Sequence, residues 1–146
     1  TKLTELIQKH FPSTQVRSSS SIWIDQLLAQ NKEDEKVYAV ISDNLLELFV
    51  ITNGKLELHN NFVTDSKEDV LYYLLFVMEQ LRLSTEKTEL VLFGHILKSD
   101  DLYQLLFDYV RHISFGKRPN NLQYANELGS IKEHQYFCLF SQLLCA

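Results

Sequence analysis

Leu3, Leu6, Ile7 and His10 recur at helical spacing, and Phe11-Pro12 then closes the segment. Proline lacks a backbone donor and drives the residue before it out of the helical region, so this pattern predicts a short amphipathic helix. From Thr14 to Ser18 a single apolar residue, Val16, alternates with polar neighbours, which predicts a short strand. The serine run Ser18 to Ser21 supplies an N-cap for a helix that turns Ile22, Trp23, Leu27 and Leu28 inward, and Asn31 to Lys36 reads as a charged loop.

Val37 to Asp43 is apolar on both alternating faces, the pattern of a central strand covered on two sides. Leu45 to Thr52 follows after a turn at Asp43-Asn44, and Asn53-Gly54 is the strongest short hairpin signal in the chain, because both residues tolerate positive φ. The third strand, Lys55 to Val63, sets Leu56, Leu58 and Phe62 against Lys55, Glu57, His59 and Asn61, which suits an outer strand with one wet face. Three antiparallel strands are expected.

Asp65-Ser66 followed by Glu68-Asp69 caps a helix expected to run through Leu83, with apolar residues on nearly every side. Thr88 to His95 is a bare apolar run. A strand reached through a long helix is expected to lie parallel to its neighbour by a right-handed crossover. Ser99-Asp100-Asp101 starts a helix through Tyr109, and Arg111 to Phe115 gives a fifth strand closed by Gly116. Asn120 to Ser130 carries no readable pattern, while Lys132 to Ala146 predicts a terminal helix with Tyr136, Phe137, Leu139, Phe140, Leu143 and Leu144 largely covered.

A chain of 146 residues with 45% hydrophobic content suffices for one buried core, and 4 glycines and 2 prolines argue against disorder. The net charge of -5 gives no reason to expect a nucleic-acid partner, because duplex binding draws on clustered Lys and Arg. Lys117 and Arg118 form the one basic cluster and read as a solvated loop. The longest apolar run, Val70 to Met78, is about half of the roughly 20 residues needed to span a bilayer, so no membrane segment is expected. Cys138 and Cys145, on one predicted helix, would stand roughly 10 Å apart along its axis and could not bridge each other. Free thiols and the lack of a signal-peptide pattern point to the cytoplasm. The chain opens at Thr1 without an initiator Met, as expected of a fragment or of a processed product.

Strand, strand, strand, helix, strand, helix, strand is the plan of the ribonuclease H-like fold, an α/β architecture with a five-stranded mixed sheet ordered 3-2-1-4-5. The lead-in Val16 to Ser21 with its helix, then Val37-Tyr38-Ala39-Val40-Ile41-Ser42-Asp43, resembles the start of the second half of actin-like ATPases. In working members the first hairpin reads like Asp-Leu-Gly-Gly-Gly-Thr, with glycines that let backbone N–H groups approach a phosphate. Here it reads Asp43-Asn44-Leu45-Leu46-Glu47, and the glycine pair expected after the fourth strand survives only as Gly94, followed by His95. Taken whole, the chain resembles the C-terminal half of a bacterial family catalogued as a domain of unknown function, whose members look like degenerate actin-like proteins of roughly twice this length. The resemblance implies one domain over 1–146, with 1–12 readable as the tail of a preceding half, and a partner that is a second lobe or another protein. It leaves the oligomeric state open.

In open α/β sheets the ligand crevice lies beyond the carboxyl ends of the strands where connection order reverses. That rule brings Asp43, Asn44, Gly94 and His95 to one rim. They are candidates for a nucleotide site, with Asp43 near a metal and Gly94 near base or sugar; equally, Asp43-Asn44 is good turn chemistry and Gly94 a strand terminus. In the second view Leu45, Leu46 and Glu47 would carry apolar groups and a like charge toward the phosphate position. A nuclease would need carboxylates such as Asp43, Glu68 and Glu79 to converge on two metals, and His95 stands at the fourth-strand corner instead. His10, His59, His95, His112 and His134 show no paired metal-ligand spacing. The leading expectation is a non-enzymatic interaction domain without a cofactor; the alternative is an ATP and magnesium half-site completed by a missing N-terminal lobe.

Overall fold

In the computed structural model, which describes residues 1–144, strand β1 (Lys36–Ser42) sends Val37, Ala39 and Ile41 to one face and Tyr38 to the other, all buried. Burial on both faces makes it a central strand, with β2 (Leu45–Thr52) antiparallel on one side and β4 (Glu89–Gly94) parallel on the other. Adding β3 (Lys55–Val63) and β5 (His112–Phe115) completes the sheet, ordered β3-β2-β1-β4-β5. The mixed five-stranded sheet expected from the pattern is therefore the fold.

Helices α3 (Lys67–Gln80) and α4 (Asp101–Tyr109) cross over one face, where Val70, Leu74, Val77, Met78 and Leu106 close on Val37, Leu48, Leu90 and Leu92. Helix α2 (Ser19–Gln30) covers the other, and there Trp23 stacks on Phe137 of the short helix α5 (Phe137–Ser141) at 4.6 Å and meets Phe93 edge-on at 4.9 Å. Ser18 caps α2 as expected, its side chain accepting from the Ser21 N–H. Helix α1 (Lys2–His10) precedes these elements and buries no residue.

The Asn53-Gly54 hairpin forms with φ of 51° and 72°, the paired positive values of a type I′ turn. Beyond it β3 departs from simple alternation. The register slips between Val50 and Ile51, so that Val50 faces Leu58 and Ile51 faces Leu56, leaving Glu57 as the extra residue of a bulge. Leu56 thus joins the α2 face while Leu58 and Phe62 join the α3 face, and His59 stacks on Phe49 at 4.6 Å instead of facing water.

Helix α3 stops at Gln80, short of the expected Leu83. Arg82 takes a left-handed φ of 57°, and the Leu83 and Arg82 amides turn back to the Met78 and Glu79 carbonyls, a Schellman ending without glycine. Thr14 to Ser18 forms no strand, and Arg17 pairs with Asp25 of α2. The terminal helix is also shorter than its apolar spacing suggests. His134 is buried against the sheet end and Tyr136 adopts a left-handed φ of 58°, so helix begins only at Phe137 and tightens to a 3₁₀ turn over Gln142–Leu144. Cys145 lies outside the described residues, so the expectation for the Cys138 and Cys145 pair lies outside them too, and the Cys138 thiol reaches the Ser19 carbonyl at 4.0 Å.

Arg118 is not part of a solvated basic loop. Its guanidinium lies 5.1 Å from the Tyr124 ring centre and 5.3 Å from that of Phe140, and donates to the Leu128 and Ile131 carbonyls. It clamps the 117–131 segment, which otherwise carries only a 3₁₀ turn at Asn126–Ser130, against the C-terminal helix. Among the described residues no helix is long and apolar enough to cross a membrane.

Candidate functional site

Parallel pairing of Ile41 with Gly94 sets the carboxyl ends of β1 and β4 side by side. There the His95 Nδ1 lies 3.5 Å from Asp43 Oδ1, with both side chains well exposed. The hollow beneath them, about 260 Å³, is bounded by Ile41 and Ser42 of β1, Thr64 and the first turn of α3, and Leu102. Asn44 contributes through its backbone, its carbonyl accepting from the Thr64 N–H at 3.0 Å to tie the end of β3 to the β1–β2 turn.

Gly94 is held by its own chain. Its φ is +89°, and a Cβ added there would sit 2.1 Å from the Ile41 carbonyl oxygen. The close approach lets the His95 N–H donate to that same oxygen at 2.7 Å, while the Gly94 N–H donates to the His134 carbonyl at 3.0 Å. His134 returns a second tie through Nε2 to the Ile96 carbonyl at 2.7 Å, and its burial holds the imidazole below its ordinary pKa of 6.5 despite that hydrogen bond. The glycine therefore serves the backbone crossing between β1 and the chain leaving β4.

The amino end of α3 is the natural anion seat beside this hollow, since its free N–H groups point outward. Asp69 sets a carboxylate beside it. Its Oδ2 accepts from the Asp65 and Ser66 amides at 2.9 and 3.0 Å while its own N–H donates to Ser66 Oγ, a complete capping box. Those backbone donors, Asp65 first, hold the Asp69 carboxyl below its usual range. The nearby cation, Lys67, reaches Asp101 at 3.7 Å, and Asp43 and Asp65 add two further carboxylates to the same rim.

Two of the three side chains expected to crowd the phosphate position, Leu46 and Glu47, point elsewhere. Leu46 is fully buried in the α3-side core. Glu47, on the opposite face of β2, is also buried; its Oε1 meets Ser20 Oγ at 2.7 Å and His59 Nε2 at 2.8 Å. This three-residue tie joins α2 to β2 and the outer strand β3, and strand alternation alone would have turned Glu47 away from the leucines beside it. The Asp43-Asn44 turn itself takes no positive φ, so its backbone does not form the glycine-dependent cradle that a phosphate loop needs.

A second polar line went unseen in the sequence. Glu89 on β4 accepts from Ser114 Oγ at 2.6 Å and pairs with Lys36 Nζ at 3.1 Å. Burial pushes the Glu89 carboxyl up, but Ser114 and Lys36 together outweigh it and leave the group below its ordinary value. These charges satisfy one another across β1, β4 and β5. Among the described residues no three His, Cys, Asp or Glu side chains gather to hold a metal ion; Asp43, Glu68 and Glu79 do not converge.

A 3-2-1-4-5 mixed sheet with helical crossovers, opening at the carboxyl ends of β1 and β4, defines a lobe of actin-like, ribonuclease H-like architecture. The chain belongs to the family described as protein of unknown function (DUF3822), which it matches over residues 1–113. Among solved structures it is similar to a protein of Bacteroides thetaiotaomicron VPI-5482, described as having an actin-like ATPase fold and unknown function. The TM-score is 0.78 at 21% identity, over 98% of this chain and 51% of that one, a likeness that establishes the fold. This chain thus spans about half the length of that protein. No curated protein matches it.

Proposed function

We propose that this chain is a non-enzymatic interaction lobe, bacterial and cytoplasmic, whose actin-like cleft has lost its phosphate-binding chemistry. The observation that carries the reading is the Asp69 carboxylate fixed at the start of α3 by the Asp65 and Ser66 amides, beside a rim that presents Asp43 and Asp65. A phosphate entering there would meet the carboxylates of Asp69, Asp43 and Asp65, and the nearby Lys67 is already drawn to Asp101. Nucleic acid is an unfavourable partner for the same reason of charge, and a protein surface is the fitting one.

A second reading is favoured by one observation, the meeting of Asp43 and His95 at the β1/β4 ends. In it the lobe is a nucleotide half-site that takes its phosphate donors, and ATP with magnesium, from a second lobe. Thermal denaturation with magnesium and ATP or ADP separates the two. A ligand bound by the folded state alone adds RT ln(1 + [L]/Kd) to stability, about 2.7 kcal/mol at a hundredfold excess over Kd. The interaction reading expects an unmoved midpoint; a saturable rise, lost in Asp43→Ala, supports the half-site.

A further inference from the structure

Helix α1 is amphipathic yet buries nothing: Leu3, Leu6 and Phe11 are 65, 54 and 63% exposed. A nine-residue helix is marginal in water on its own, since helices below about 12–15 residues rarely hold without tertiary contact. Its apolar stripe leads into a groove of about 730 Å³ lined by Ile7, by Ile22 of α2 and by the 13–17 segment with Val16. Val16 is itself 51% exposed, and Gln142 of the C-terminal 3₁₀ turn borders the same groove, followed by Leu143 at 69% exposure. Apolar surface of this extent, continuous from the first helix to the last turn, marks an interface.

We infer that α1 and this groove are the seat of a preceding lobe of the same polypeptide. The inference rests on the interaction reading and names its partner. Two observations select this occupant over a second copy. The Bacteroides protein aligns with 98% of this chain using only 51% of its own length, so a protein of this architecture carries an additional half of equal size. In addition, α1 lies inside the family match and is joined to the rest of the fold through a segment that forms no strand, so its apolar stripe belongs to the family's own sequence and is left for a partner. Contacts between lobes of one chain typically cover about 600–1,500 Å² and combine such apolar stripes with polar rims, here Lys2, Glu5 and Lys9.

The test uses the full product of the gene that encodes this chain. Hydrogen exchange followed by mass spectrometry should find residues 3–10 protected at least tenfold over a free peptide, independently of protein concentration. The double substitution Leu3→Asp and Leu6→Asp should abolish that protection and leave β1, β2 and β4 unchanged, since neither leucine touches the core. A reading frame with no lobe before Thr1, fast exchange at residues 3–10 in the wild type, or protection that disappears on dilution as a homodimer dissociates would each overturn the inference. ATP turnover with α1 still protected would strike the non-enzymatic reading alone; an unprotected α1 in an inactive protein would strike the docking surface alone.

Discussion

Replacing Gly94 with alanine isolates what that glycine does at the rim of the cleft. An added Cβ would stand 2.1 Å from the Ile41 oxygen, a separation no relaxed structure tolerates, and the residue must also keep a φ of +89°. Left-handed backbone costs an L-residue roughly 1–2 kcal/mol. Relief of the contact requires β1 and β4 to part, which weakens the His95 N–H bond to Ile41 and the Gly94 N–H bond to His134, each worth about 1 kcal/mol net. The loss should therefore total about 3–4 kcal/mol, a large share of the roughly 5–15 kcal/mol that holds a domain together. Urea denaturation followed by Trp23 fluorescence reports it, since that indole lies in the α2-side core against Phe93 of the same strand. The midpoint should fall with the slope unchanged. A loss under about 1 kcal/mol would refute a structural role for Gly94 and return it to the set of residues kept for a ligand.

Gly54→Val should cost roughly 1–2 kcal/mol in the same assay, because a β-branched residue is strained at positive φ and its Cβ would lie 3.0 Å from the Lys32 carbonyl oxygen. The converse change, Arg82→Gly, should stabilise by about 0.5–1 kcal/mol, as the exposed left-handed ending of α3 then takes the residue it suits, and an unchanged or lower midpoint would contradict the Schellman ending. His134 predicts a pH dependence. Burial lowers its folded pKa below 6.5, so the unfolded chain binds more protons in that window, and the group's contribution holds above pH 6.5 and declines as pH falls through the folded value. The stability advantage of wild type over His134→Gln should shrink from pH 7.5 to 5; a constant difference would deny the buried neutral ring.

The strands were legible because each carries its own signal: two-sided apolar runs at Val37 and Leu90, and Asn53-Gly54 between alternating neighbours. Asp43 and His95 were legible as neighbours because parallel pairing of β1 and β4 brings strand ends together whatever the side chains. What stayed hidden depends on partners remote in sequence. The bulge at Glu57 satisfies two cores at once, and nothing local marks the slip that moves Leu56 to the other face. His134 is pulled to the end of β4 by Gly94 and Ile96, which halts the apolar periodicity of the last segment before it can become one helix. Arg118 read as solvated because its two aromatic neighbours stand 6 and 22 positions away. Asp69 was legible as a helix cap, but its consequence for the cleft emerges only when α3 is seen to begin beside Asp43.

Nucleotide turnover at the cleft separates the interaction lobe from the half-site most directly. Phosphoryl transfer is almost wholly positioning and charge stabilisation, and here Asp69 caps the helix, the Asp43-Asn44 turn lacks positive φ, and Lys67 is drawn to Asp101. Phosphate release from ATP with magnesium, measured on the purified chain and on Asp43→Ala, should show both at background, with the variant still folded by circular dichroism. Magnesium-dependent release by the wild type, abolished in a folded Asp43→Ala protein, would contradict the account and establish the half-site in its place.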